Sequence, residues 1–88
     1  MLDISIENFE KDVIEASMQQ PVLLDFWADW CGPCKSLIPV LEKLEPEYAD
    51  RLSMVKVNVD EQKQIASMFG VRSVPMVVLM IQGRPVDG

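Results

Sequence analysis

The stretch Ala28-Asp29-Trp30-Cys31-Gly32-Pro33-Cys34-Lys35 carries both cysteines of the 88-residue chain, two residues apart. An apolar run, Val22-Leu23-Leu24-Asp25-Phe26-Trp27, precedes it, and a helical pattern begins near Lys35. The run is apolar on both faces, the mark of a central strand covered from both sides. A Cys-x-x-Cys at such a strand-to-helix junction reads as a thiol–disulfide redox site. The main rival is half of a zinc site. Zinc normally takes four ligands, and the chain offers two cysteines and no histidine. Only a dimer pooling both pairs, or carboxylate ligands, would complete such a site. A purely structural staple is the weaker alternative, since closing a ring of about four residues is credited with roughly 2 kcal/mol.

The totals restrict the function further. A chain of this length makes at most one domain, with a small core and little stability in reserve. Apolar residues are 49% of the sequence and spread along it, so a packed core is expected rather than disorder. The net charge of −6 argues against non-specific binding to nucleic acid or to anionic membranes, which need clustered Lys and Arg. No apolar run is long enough to span a bilayer. The opening Met1-Leu2-Asp3-Ile4-Ser5 lacks the basic-then-apolar order of a secretory signal, which makes a cytoplasmic protein the expectation unless a leader has been removed.

Along the chain, residues 3–6 form a candidate first strand. Phe9, Val13, Ala16 and Ser17 then fall at helical spacing, with Asn8 as candidate N-cap and Pro21 closing the loop that follows. After the cysteines, Leu37, Val40, Leu41, Leu44 and Tyr48 recur every three or four residues, the pattern of an amphipathic helix. Pro39 is expected to kink that helix and Pro46 to loosen or detach its last turn. Residues 52–59 alternate as a strand. Asp60 is the candidate cap of a third helix that buries Ile65, Met68 and Phe69 and stops at Gly70. Met76 to Ile81 is a strongly apolar strand, Gln82-Gly83 a hairpin turn, and residues 84–88 the start of a last strand. The order implies one parallel crossover and one antiparallel pair in a mixed sheet flanked by helices.

Disulfide exchange needs one accessible thiolate and a second sulfur near enough to resolve the mixed disulfide. Cys31 lies just before the helix, where free N–H groups and the helix dipole favour negative charge. Cys34 lies one turn in and less exposed. Cys31 is therefore assigned as nucleophile and Cys34 as resolving thiol. Gly32 and Pro33 add no positive charge between them, so the pair is expected to donate electrons rather than act as an oxidant. Pro33 suits the first helical turn, where its missing N–H has no partner to lose. Asp25 either faces a solvated strand end or is buried with a raised pKa, in which case it serves as general base or acid toward Cys34. Lys56 is readable as a strand lysine reaching water. Val74-Pro75 is by base rate an ordinary trans bond.

Trp30-Cys31-Gly32-Pro33-Cys34 resembles the active site of the thioredoxin family. Asp25-Phe26-Trp27-Ala28, Lys35, Pro39, Lys56, Asp60, Phe69-Gly70-Val71, Val74-Pro75 and Gly83 fall in register with that family as well. The resemblance implies an α/β thioredoxin fold and a protein-disulfide reductase without a bound cofactor. Its partners would be disulfide-containing proteins and, as electron donor, thioredoxin reductase. It further implies Asp25 as the proton acceptor of Cys34, Lys56 beside it, and a cis peptide before Pro75. Trp30, Gly32, Pro33, Val74 and Pro75 would then form a shallow surface for an extended substrate peptide. Trp27 is expected to support the site rather than contact substrate. Met76 stands where the family usually has threonine. By the same resemblance, residues 1–88 form a single domain that is incomplete at its C-terminus. The final strand would be truncated and the last helix absent, exposing apolar surface. The ending Gly83-Arg84-Pro85-Val86-Asp87-Gly88 also resembles thioredoxin-domain co-chaperones, which suggests chaperone or client proteins as alternative partners.

Overall fold

The strand Val22–Trp27 (β2) lies at the centre of a five-stranded sheet in the computed structural model, which describes residues 1–86. The other strands are Leu2–Asp3 (β1), Ser53–Asn58 (β3), Met76–Ile81 (β4) and Arg84–Val86 (β5), in the order β1-β3-β2-β4-β5. Strand β2 runs parallel to β3 and antiparallel to β4, and both ladders extend along most of its length. Val22, Leu24 and Phe26 are fully buried on one face with Val55, Val57 and Met80. Burial of one such side chain contributes about 1.5–3 kcal/mol, so this cluster is the main source of stability. A π-helix, Glu10–Glu15, supplies Val13 to the same cluster, and a short helix, Lys63–Met68 (α2), supplies Ile65. The opposite face of β2 carries Leu23, Asp25 and Trp27 by alternation. It is met by the long helix Gly32–Tyr48 (α1), whose Cys34 and Ile38 pack with Trp27 and Ala28.

The mixed α/β sheet and the parallel β2-α1-β3 crossover agree with the sequence reading; several local details do not. The first strand is Leu2–Asp3 rather than residues 3–6. Ile4 N–H still bonds the Lys56 carbonyl at 2.8 Å, but Ser5 N–H turns away to Asn8 Oδ1 at 2.7 Å. Asn8 is thereby occupied in closing this turn and does not cap the helix. The helix itself is wound more widely than an α-helix, Ala16 N–H reaching the Lys11 carbonyl five residues back. That winding suits the four-residue spacing of Phe9, Val13 and Ser17. Helix α1 is continuous through Pro39 and Pro46, so its last turn is not detached. Its inward stripe is Cys34, Ile38 and Leu41, which rotates Val40 and Tyr48 outward to 53% and 36% exposure. The Tyr48 ring is covered instead by the Arg51 guanidinium, 4.6 Å from its centroid. Met68 is also exposed, because Ile65 and Phe69 already define the inner side of α2.

Two ends are closed as expected. Gly70, at φ +64°, terminates α2 with Val71 N–H on the Ala66 carbonyl and Gly70 N–H on that of Ser67. Gln82 and Gly83 both have positive φ, which gives the two-residue turn between antiparallel β4 and β5. The predicted last strand is present over Arg84–Val86; Asp87 and Gly88 lie outside the described residues.

The hairpin is tied to the far end of the first helix by the buried Ser17. Its hydroxyl donates to the Ile14 carbonyl at 2.7 Å and accepts Gly83 N–H at 2.9 Å, and its carbonyl accepts Gln82 N–H at 3.0 Å. Ser17→Ala leaves the part-buried Gly83 N–H without its acceptor, a loss of about 1 kcal/mol. Urea unfolding should register that loss as a lower midpoint with an unchanged slope.

Candidate active site

Strands β2 and β3 end side by side, and the chain leaving β2 turns through Ala28-Asp29-Trp30 into α1. Cys31 occupies the N-cap of α1, in extended conformation (φ −85°, ψ 106°), and its Sγ accepts Cys34 N–H at 3.2 Å. Pro33 stands in the first helical turn, where no intrahelical donor is required of it. One turn of helix brings the two cysteine Cα atoms within 5.3 Å, and the sulfurs are joined as a disulfide. Cys34 is fully buried and Cys31 is 3% exposed, so even the outer cysteine presents only an edge in the disulfide form.

The antiparallel run of β4 completes the site. Met76 pairs with Phe26, so the residues just before β4 arrive where β2 ends. Val74-Pro75 is there, with a cis peptide bond, and Val74 packs against the Ala28-Cys31-Cys34 cluster. Trp30 is 69% exposed and is held by its indole N–H, which donates to Asp60 Oδ2 at 2.8 Å. Trp30 and Val74 line a shallow groove of about 90 Å³ with Val59, Val71, Arg72 and Ser73. Gly32 and Pro33 are exposed at the helix start nearby. All the residues singled out from sequence as a docking surface are thus at one end of the sheet. The sequence reading missed Val59, Val71, Arg72 and Ser73; the spacing of Val71 and Val74 around the loop is the signal that points to them. Asp60 is the partner of Trp30 and not a helix cap. The turn N–H groups of Asp60 and Glu61 are accepted by Asn58 Oδ1 instead. A larger cleft of about 270 Å³, lined in part by Leu2, Ala16, Leu52 and Met54, lies at the other end of β3 and does not touch the cysteines.

Asp25 is fully buried, and neither carboxylate oxygen has a hydrogen-bond partner. It therefore does not face a solvated strand end. Burial pushes its pKa up to about 6, against the opposing pull of the Lys56 ammonium. Lys56 is the register partner of Asp25 on β3 and is partly buried, with Nζ 5.2 Å from the centroid of the Trp27 ring. Trp27 is half-buried against the cysteine cluster, a supporting position.

A two-cysteine redox centre at a helix N-terminus, on a mixed sheet beside a cis proline and an apolar groove, defines a dithiol–disulfide oxidoreductase. Comparison with known proteins gives the family. Residues 1–88 match the thioredoxin family model, and the chain belongs to the thioredoxin family. It is 45% identical to the thioredoxin of Haemophilus influenzae over 86 residues, 98% of this chain and 78% of that protein. It is 44% identical to thioredoxin 1 of Synechococcus elongatus over 80 residues, 91% of this chain and 73% of that protein. Identity to the thioredoxin of Acidithiobacillus ferridurans is 44% over 84 residues, 96% of this chain and 76% of that one. The protein is accordingly a thiol–disulfide oxidoreductase that reduces protein disulfides by dithiol exchange through its cysteine pair.

The buried carboxyl has a thermodynamic consequence. Its folded pKa of about 6 lies above the ordinary value of 3.8, so between those limits the folded state holds more proton than the unfolded one. Stability conferred by neutral Asp25 is complete below about pH 4 and is lost as pH rises through 6. Asp25→Asn, which stays neutral, should stabilise the fold at pH 7 by on the order of 2–3 kcal/mol. Urea unfolding across pH 4–8 is expected to show that advantage shrinking toward zero at the acid end.

Proposed function

We propose that Cys31 is the attacking sulfur, Cys34 the resolving one, and Asp25 the acceptor of the Cys34 proton. The observation that carries the assignment is the position of Cys31. It caps α1, with an N–H aimed at its sulfur, next to the Trp30–Val74 groove, whereas Cys34 is enclosed. The Cys31 thiolate attacks one sulfur of a substrate disulfide; a mixed disulfide forms, and the other substrate sulfur leaves and takes a proton. Asp25 then removes the proton of Cys34, whose thiolate attacks Cys31 Sγ. The Cys31–Cys34 bond forms, the mixed disulfide breaks, and the second substrate sulfur is released as a thiol. Two electrons and two protons have passed from the dithiol to the substrate.

Lys56 lends Asp25 positive charge, which keeps its proton affinity within the range useful near neutral pH. Trp30, Gly32, Pro33, Val74 and Pro75 hold the substrate as an extended segment, whose backbone groups pair with the chain before Pro75. The electron donor is thioredoxin reductase, and the compartment is the cytoplasm, where thiols are kept reduced. Among the described residues no helix is long and apolar enough to cross a membrane.

The test is NADPH-coupled reduction of a protein disulfide through thioredoxin reductase. Turnover is expected for the native chain and none for Cys31→Ser at retained fold. Cys34→Ser should accumulate a covalent mixed disulfide visible by mass spectrometry, and Asp25→Asn should slow the resolving step by roughly 10²-fold. Native-like turnover by Cys31→Ser rules the assignment out.

A second reading, the holding of unfolding client proteins, is favoured by the exposed Val77 and Val86 on β4 and β5. Suppression of client aggregation that survives loss of both cysteines is its expected signature.

A further inference from the structure

The register of three strands places Asp3, Lys56 and Asp25 in one row across the sheet, on the face that α1 covers. Asp3 pairs with Lys56 between β1 and β3, and Lys56 pairs with Asp25 between β3 and β2. The row is a carboxylate, an ammonium and a carboxylate at successive strand positions. Its two acids differ in setting: the Asp25 side chain is sealed from water, whereas that of Asp3 is 76% exposed. The ammonium is not on the buried acid. Lys56 Nζ lies 3.8 Å from Asp3 Oδ1 and over the Trp27 ring, while both Asp25 oxygens are without a hydrogen-bond partner.

We infer that Asp3 is a positioning residue for the reaction, holding the Lys56 ammonium toward the sheet edge and so withholding it from full pairing with Asp25. Two effects act in the same direction. Asp3 competes for the cation, and its own negative charge, about 10 Å away across two strand spacings, opposes ionisation of Asp25. The other elements packed around Asp25 bring no rival charge among the described residues. Strand β4 places Val77 opposite it, and α1 turns the disulfide, Ile38 and Leu41 inward. The α1 acids nearest β1, Glu42 and Glu45, are engaged by the N-terminal ammonium of Met1 at 3.7 and 3.2 Å. Asp3 is thus the group that divides Lys56 between an edge and a core. The sequence reading treated this residue only as part of a strand.

The inference deepens the reading of Asp25 as proton acceptor and rests on it for its catalytic consequence. The direct test is a titration of the Asp25 carboxyl carbon by NMR in the disulfide form of the full chain, where neither cysteine titrates. Asp3→Asn should lower the Asp25 midpoint by roughly 0.3–0.5 pH unit, the scale of an exposed charge pair. Asp3→Glu should restore it, and Lys56→Gln should raise it. With Lys56→Gln present, Asp3→Asn should lower the midpoint by less than half as much. Where circular dichroism shows β1 disturbed by asparagine, Asp3→Thr removes the same charge with a residue suited to a strand. An Asp25 midpoint that stays put in a folded Asp3 variant overturns the inference, as does an equal shift with and without Lys56. The acid limb of the mixed-disulfide resolution rate should move with the NMR midpoint. A midpoint that moves while that limb does not removes Asp25 as proton acceptor and leaves the control by Asp3 standing.

Discussion

Pairing of β2 on both edges, and covering of both its faces, is the constraint on which the rest of the molecule depends. With β3 parallel on one side and β4 antiparallel on the other, this strand is paired on both edges along most of its length. Its side chains are then sorted by alternation alone: Val22, Leu24 and Phe26 into the main core, and Leu23, Asp25 and Trp27 toward α1. A shift of one residue would exchange the two sets, putting Phe26 under the cysteines and Asp25 into the aliphatic cluster. The register of one strand therefore sets both the stability of the fold and the position of Asp25, the one fully buried carboxylate among the described residues.

The same strand explains how residues from distant parts of the sequence meet. Parallel β3 ends where β2 ends, which brings Val59 and Asp60 beside Trp30; Val59 N–H bonds the Trp27 carbonyl at 2.9 Å. Antiparallel β4 begins at that same end, which delivers Val74 and Pro75. A helix N-terminus, two strand ends and one strand start converge, and the redox pair sits where they do. The arrangement sets the helix N-terminus, where Cys34 N–H points at Cys31 Sγ, beside an apolar groove. It also sets a core acid and an edge acid on either side of Lys56, the register partner of both. Part of the stability available to the fold at neutral pH is given up at Asp25, whose carboxyl is buried without a hydrogen-bond partner.

Much of this was legible in the residues. The Cys-x-x-Cys spacing, Pro33 inside the first turn, Gly70 at the end of α2 and Gln82-Gly83 between strands each report a local requirement, and local requirements survive in any context. The predicted strand–helix order holds because each long element has its own period. The failures are where a side chain had two uses. Asn8 and Asp60 look like caps, yet one closes the preceding turn and the other holds an indole, while Asn58 accepts the turn N–H groups. Val40 and Met68 fit an apolar stripe by spacing, but the centre of each stripe depends on which neighbour the helix meets.

The amino-acid sequence by itself determined the cysteine pair, its place at the start of a helix, and the apolar strand that leads to it, because backbone propensity and spacing act over a few residues. Only the tertiary structure decided that Asp25 is sealed without a partner and that Arg72 and Ser73 border the groove. It alone decided that Lys56 leans toward Asp3. Those outcomes depend on strand register and on distances between residues far apart in the chain, and a carboxyl departs from its ordinary titration only where its surroundings exclude water or bring charge near it.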